Sequence, residues 1–355
     1  MARVSRETHS HRTGAVWFAL ACVYVIWSTT YLAIGVTDQT LPPLVAAGIR
    51  FLIAGSVLYV VAIRRGDRIG DRPGRAQWRA AAIVGILLMG CGNGGVVWAE
   101  TRIPSGVAAL IFATLPLWLV ILDLLVFHRH QPPAVTAGVM LGLAGTAALI
   151  GGSAMGGQID LLGMLVVVAG TFCWACGSLY QRQAVLPHRP FVAAAMEMMI
   201  GGAALIVGGA ITGELADVDP SRFSRASLIA LAYLIVFGSW VGFTSYLWLL
   251  RNARTSLVST YAYVTPAGAV FLGWLILDES IGARTIVAGA VILVAVALIV
   301  KAGGVAREVE PGSEPREDRG PEIETQVDLE RPGGAEEHGF AENGRGELQA
   351  DGEPA

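Results

Sequence analysis

Hydrophobic residues run along this chain in ten blocks, near 15–36, 42–63, 78–98, 104–127, 134–151, 160–180, 191–212, 227–250, 256–277 and 282–301, and charged residues gather between them. Each block approaches the ~20 apolar residues that a helix needs to cross the hydrocarbon of a bilayer. The pattern predicts an all-α integral membrane protein with ten transmembrane helices. The first block is too long for the apolar region of a signal peptide and lacks a convincing cleavage site, so it is read as part of the mature chain.

The blocks also repeat. The stretch PPLVAAGIRFLIAGS from Pro42 returns as RPFVAAAMEMMIGGA from Arg189, which matches Pro43, Val45, Ala46, Ala47, Ile53 and Gly55 at a spacing of 147 residues. Further on, Trp98 and Pro116 recur as Trp248 and Pro266 at a spacing of 150. Two five-helix repeats follow, at 14–152 and 158–301. Five is odd, so the second repeat enters the bilayer from the opposite side to the first. Inverted repeats of this kind are the architecture of secondary transporters.

Arginine sets the orientation. Arg3, Arg6 and Arg12 precede the first block, and the second connection carries Arg64, Arg65, Arg68, Arg72, Arg75 and Arg79. Later even-numbered connections carry Arg129, Arg182, Arg189, Arg251 and Arg254, whereas the odd-numbered ones are poorer in Arg and hold Glu214, Asp217 and Asp219. The positive-inside rule then places both termini in the cytoplasm, with residues 1–13 as a short cytoplasmic segment.

From residue 302 the composition changes: 15 acids face five Arg, with many Gly and Pro. Such a segment cannot bury enough apolar surface to order itself, so 302–355 is expected to be a disordered acidic cytoplasmic tail. It hides a positive body behind the overall charge of −3. Lys301 is the single lysine of the chain. A phosphate-binding loop needs a Lys beside its glycines, so the sequence excludes an ATPase built into this chain.

Two ionisable residues lie well inside the hydrocarbon, Arg50 in the second block and Glu197 in the seventh, and they occupy the same position of the repeat. A charge at that depth is costly and almost always faces the bundle interior. The two can form a buried pair, direct or water-bridged, that locks the repeats together. Alternatively they hold opposite ends of a polar or zwitterionic solute, with Glu197 also able to carry a proton. Pro116 and Pro266 interrupt the fourth and ninth blocks at matching positions, and each removes a helical hydrogen bond. Matched interruptions are a sign of the binding region of a transporter. Trp27 and Tyr31, Asn93, Trp174, and Ser259 and Tyr263 are polar or aromatic residues placed to line a cavity. Trp27 and Trp174 are again 147 apart. Cys173 and Cys176, within C-W-A-C in the sixth block, are expected to pack rather than to bind metal, as are Gly138, Gly142 and Gly289.

IWSTTY in the first block, the Pro-x-x-x-x-x-x-Arg segment of the second and LDESIGARTIVAGAVILVAVALI at the last block resemble the EamA-type transporters of the drug/metabolite transporter superfamily. The resemblance spans about 15–301. It implies a basket of inverted repeats around a central cavity, and export of amino acids, metabolites or drugs across the bacterial inner membrane. The acid that commonly opens the last helix of each half is Glu279 in the second half, with His128 at that place in the first.

These features lead to the expectation of a secondary transporter, an exporter of a small organic solute such as an amino acid, working by alternating access around a midplane cavity. The alternatives are a broad-specificity drug efflux protein and, from another class, a membrane receptor or enzyme with a buried site. No cofactor or metal is expected. The expected partners are the solute, the lipid bilayer and, as candidate coupling ion, protons, in a monomer or homodimer, with no nucleic acid.

Overall fold

The computed structural model describes residues 2–65, 73–128, 132–154, 160–253, 255–258 and 260–309, apart from the side chains of residues 2–13, 303–309 and some isolated positions. Among them all regular structure is helical. The helices are α1 (Ala2–Thr37), α2 (Pro43–Arg64), α3 (Arg75–Glu100), α4 (Ser105–Val126), α5 (Pro133–Ala154), α6 (Leu161–Gln181), α7 (Pro190–Ile211), α8 (Arg225–Tyr246, continuing to Asn252), α9 (Tyr261–Ile276) and α10 (Ala283–Val309). Eight are long and apolar enough to cross a membrane. The fifth and ninth blocks are met by shorter apolar helical stretches, Pro133–Leu149 and Val264–Ile276. The acidic tail beyond residue 309 lies outside the described residues.

Helix ends follow local chemistry, and several recur in both repeats. Pro43 and Pro190 open α2 and α7 at positions where a missing N–H costs nothing. Asp160 caps α6 through the Leu162 N–H, and Ser224 caps α8 through the Ser227 N–H. His128 after α4 and Asp278 after α9 both adopt left-handed backbone, with φ of 52° and 53°. They are 150 residues apart, so Arg129, and not His128, is the counterpart of Glu279. Arg129 lies outside the described residues.

Two helix pairs join one repeat to the other. In the first, α2 and α7 meet through glycines: a Cβ on Gly202 would lie 2.8 Å from the Leu52 nitrogen and 2.9 Å from the Gly48 oxygen, and one on Gly55 2.8 Å from the Ala195 oxygen. Small residues let the backbones approach where lipid offers no hydrophobic drive to associate. In the second pair, Gly138 and Gly145 of α5 press on Ala295, Ile299 and Ile292 of α10, and Gly142 meets Leu117. The glycines therefore serve packing within the chain, as expected. Replacing Gly202 with Val should lower the melting temperature, by an overpacking cost of about 1–3 kcal/mol. An unchanged thermal transition in detergent would show that this crossing is not close-packed.

The remaining contacts interlock the repeats. α1 of the first repeat packs on α8 and α9 of the second, and α6 of the second packs on α3 and α4 of the first. Each half thus completes its bundle with helices of the other.

Candidate functional site

α3 and α8 contain π-helical segments, Ile86–Asn93 and Leu234–Val241. Their bounds are each 148 residues apart, so the irregularity is a feature of the repeat. π-helix is rare and concentrates at functional positions. No residue type encodes it, and the nearest sequence signal is the glycine richness around Gly90, Gly92, Gly94 and Gly95, echoed by Gly238 and Gly242.

The intramembrane charges stand against these helices. Arg50, 5% exposed, donates from Nε to Ser239 Oγ at 3.0 Å, inside the π segment of α8. Ser239 in turn donates to the Leu234 carbonyl five residues earlier, at 3.1 Å. The Arg50 guanidinium also lies over the Phe51 ring, 4.7 Å from its centroid. Glu197, 2% exposed, accepts from Gln181 Nε2 of α6 at 3.1 Å. The Glu197 backbone abuts Gly85 of α3, where an added Cβ would lie 2.5 Å from the Glu197 oxygen. Arg50 and Glu197 form no direct ion pair. The direct form of the lock is thus corrected: the two helices touch at their glycines, and each charge turns to a different neighbour and a neutral partner.

The tryptophans obey the same exchange of halves. A Cβ on Gly242 would lie 2.8 Å from Trp27 Nε1, and one on Gly92 would lie 2.6 Å from Trp174 Cε3. Trp27 also packs against Tyr246 and Tyr261, with ring centroids 5.2 and 5.0 Å apart. Trp174 meets Phe112 edge-on at 5.3 Å. Tyr31, one turn from Trp27 on the same face of α1, is within electrostatic reach of Tyr261 and Glu100. Asn93 closes the π segment of α3 and donates to Met89 Sδ at 3.6 Å.

The sequence-predicted residues therefore fall into two half-sites. Trp27, Tyr31 and Arg50 stand on α1 and α2 against α8 and α9, and Trp174, Glu197 and Asn93 on α6, α7 and α3. Ser259 lies outside the described residues, as does the side chain of Tyr263. Pro116 stands at a break: α4 stops at Ala113–Thr114 and restarts with Pro116 in its first turn. Pro266 does not, because it sits inside the continuous helix Tyr261–Ile276. The interruption on that side falls earlier, between the short helix Thr255–Val258 and α9. Pro266 comes in the second turn of α9, where it removes only the bond to Ala262 and its fixed φ still suits a helix.

An apolar groove of about 780 Å³ lies between α1, α9 and α10, lined by residues such as Val25, Val264, Phe271 and Leu293. None of the charges or tryptophans above lines it. The four cysteines are free, and no group of His, Cys, Asp and Glu suited to a metal ion occurs among the described residues.

Further acids fall outside the sequence-predicted solute site. At the end of the bundle formed by the α1–α2, α3–α4 and α9–α10 connections, Glu279 accepts from the Ser105 and Gly106 N–H groups at 2.8 and 3.3 Å. Glu214 likewise accepts from Leu44 and Val45 at 2.9 and 3.2 Å. Each carboxylate of the second repeat thus caps a helix of the first. Burial, and next the charge of Glu214, push the Asp38 carboxyl well above the usual carboxylate range.

The interlocked apolar helices, taken with the family match that follows, define the class of this molecule: a multi-pass membrane transporter rather than an enzyme. The model of the EamA-like transporter family matches residues 12–151 and again 161–301, and the chain belongs to that family, within the drug/metabolite transporter superfamily. It is 35% identical over 282 residues to "Uncharacterized inner membrane transporter YedA" of Escherichia coli K12, covering 79% of this chain and 89% of that one. It is 24% identical to a "Probable amino-acid metabolite efflux pump" of Salmonella typhimurium, covering 78% of this chain and 92% of that protein. A crystal structure titled only as that of a protein shares the fold, with a TM-score of 0.55 at 22% identity over 84% of this chain and 99% of the other. The chain is accordingly a multi-pass protein of the bacterial inner membrane.

Proposed function

We propose that this protein is a ten-span secondary exporter of a small zwitterionic solute, of the amino-acid class, working by alternating access with both termini in the cytoplasm. One observation carries the reading. The repeat-equivalent positions 50 and 197 hold opposite charges, each with a neutral partner and each beside a helix with a π segment. A lone buried charge costs several kcal/mol, and it is retained where something with the complementary charge visits. The carboxylate of a zwitterion suits Arg50 and its ammonium suits Glu197. The Salmonella relative, named as an amino-acid metabolite efflux pump, points the same way.

The matched π segments provide the moving parts. A π segment is a local irregularity of the kind that concentrates at functional positions, and its return to α-helical register would rotate the helix beyond it. Because α3 packs against α6 and α7, and α8 against α1 and α2, each pair from the opposite repeat, such a rotation moves one half against the other.

The test is counterflow of labelled amino acids in liposomes containing the purified protein, set against lipid-only vesicles and a panel of nucleosides, polyamines and cationic dyes. Zwitterion-selective flux is expected. Flux of the dyes alone would replace this reading with broad drug efflux. Orientation has its own check: reporters fused after Gly70 and after Lys301 should report cytoplasm, and one at Val218 the outside. An external signal from the Gly70 fusion would overturn the assigned topology.

A further inference from the structure

Glu100 ends α3 with both carboxylate oxygens buried and without a hydrogen-bond partner. One oxygen of Asp38, at the end of α1, is in the same condition. Glu100 is within electrostatic reach of Asp38 and Glu279, and Asp38 of Glu214, which is itself beside Asp217. The other titratable neighbour of Glu100 is Tyr31 on α1. Arg102, two residues on, is engaged elsewhere: it pairs with Asp160 at 3.3 Å and lies over the Trp98 ring at 4.4 Å. A separate polar group points to the same conclusion. Ser105 Oγ, in a residue 3% exposed, is also buried without a partner, and it shares with Glu279 the surface facing Gly273.

An ionised Glu100 with neither oxygen partnered, beside an ionised Asp38 with one buried oxygen unpartnered and two more carboxylates nearby, would be very costly to bury. As neutral acids they cost far less, and each gains a donor. The backbone caps distinguish the four acids. Glu214 and Glu279 each accept from a pair of N–H groups at a helix N-terminus, whereas both oxygens of Glu100 and one of Asp38 are buried with no donor. Both caps reach from the second repeat to the first, so they tie the two repeats together at this end.

We propose that Asp38 and Glu100 form a proton-binding site whose occupancy keeps the latch of Glu214 and Glu279 closed, and whose deprotonation opens the extracytoplasmic end of the protein. The proposal rests on the orientation and alternating access argued above, and it assigns the coupling proton to this site instead of to Glu197. The sign follows from linkage. The closed state binds protons more tightly than the open, hydrated state, so low external pH favours closure and rising pH favours opening. Release of the protons places new negative charge beside both latching carboxylates and weakens their hold.

The test uses Ser105→Cys in the full-length protein, probed from outside in spheroplasts with an intact inner membrane by a membrane-impermeant maleimide. The labelling rate is divided by that of Ser221→Cys, an exposed position in the α7–α8 connection, which cancels the intrinsic pH dependence of the thiol reaction. The ratio should rise at least about tenfold between pH 5 and pH 8. With Glu100→Gln and Asp38→Asn added it should stay low throughout, and each single change should remove part of the rise. Three results would each overturn the proposal: a flat ratio in the parent, an unaltered rise in the neutralised variants, or a response to sodium at fixed pH with none to protons. Labelling needs no solute, so a protein that responds to pH but moves no amino acid would refute the substrate reading and leave the proton site standing.

Discussion

Arg50→Gln and Glu197→Gln are each expected to reduce zwitterion transport by tenfold or more, yet to melt no lower than the parent. The transport loss follows from one hydrogen bond to a charged group, worth about 1.5–3 kcal/mol, or ~10- to 100-fold. The stability forecast follows from the partners. Arg50 has Ser239 and Glu197 has Gln181, both neutral, so neutralising either charge strands no buried counter-charge and relieves a desolvation cost. A direct lock between the two predicts the reverse: each single change would cost about 3–5 kcal/mol, and the double change would recover much of it. With separate partners, the melting effects of the two changes should add to within about 0.5 kcal/mol. Transport at the parental rate in either single variant would remove Arg50 and Glu197 from the solute site. Strong recovery of stability in the double variant would restore the lock.

What the sequence discloses and what it conceals divide along physical lines. The apolar blocks are legible because the bilayer demands length and hydrophobicity of each helix. The duplication is legible because the same packing at Gly55 and Gly202 calls for the same residue twice. Arg50 and Glu197 stand out because charge is rare in hydrocarbon. The π segments are not legible, since a shift of hydrogen-bond register leaves no residue signature beyond loose glycine enrichment. Pro266 misleads because proline marks a possible break, and its place within the helix decides whether one forms. Asp38, Glu100 and Glu214 are concealed for a different reason. Acids at the ends of apolar blocks are ordinarily solvated, and only the meeting of several connections at this end covers these. The exchange of helices between repeats is invisible for the same reason, because it is a property of contacts and not of composition.

That exchange puts close tryptophan–glycine contacts into the half-sites, and Gly92→Ala and Gly242→Ala should show how tightly they pack. A methyl at Gly92 would lie 2.6 Å from Trp174 Cε3, and one at Gly242 would lie 2.8 Å from Trp27 Nε1. An indole wedged against other aromatics cannot yield as the end of a flexible chain can, so either the ring or the π segment must move. The overpacking cost is about 1–3 kcal/mol for each variant, with transport falling as the aromatic wall is displaced. A smaller ring should make room: Trp174→Phe is expected to recover stability in the Gly92→Ala background, and Trp27→Phe in the Gly242→Ala background. The crossed combinations, Gly92→Ala with Trp27→Phe and Gly242→Ala with Trp174→Phe, should show no such recovery. The decisive quantity is the coupling in each double-mutant cycle. Positive coupling confined to the matched pairs means that each repeat seats its tryptophan on the π-bearing helix of the other. Additivity within about 0.5 kcal/mol in the matched pairs would mean that the rings do not bear on these helices, and the account of how rotation in one half moves the other would fall with it.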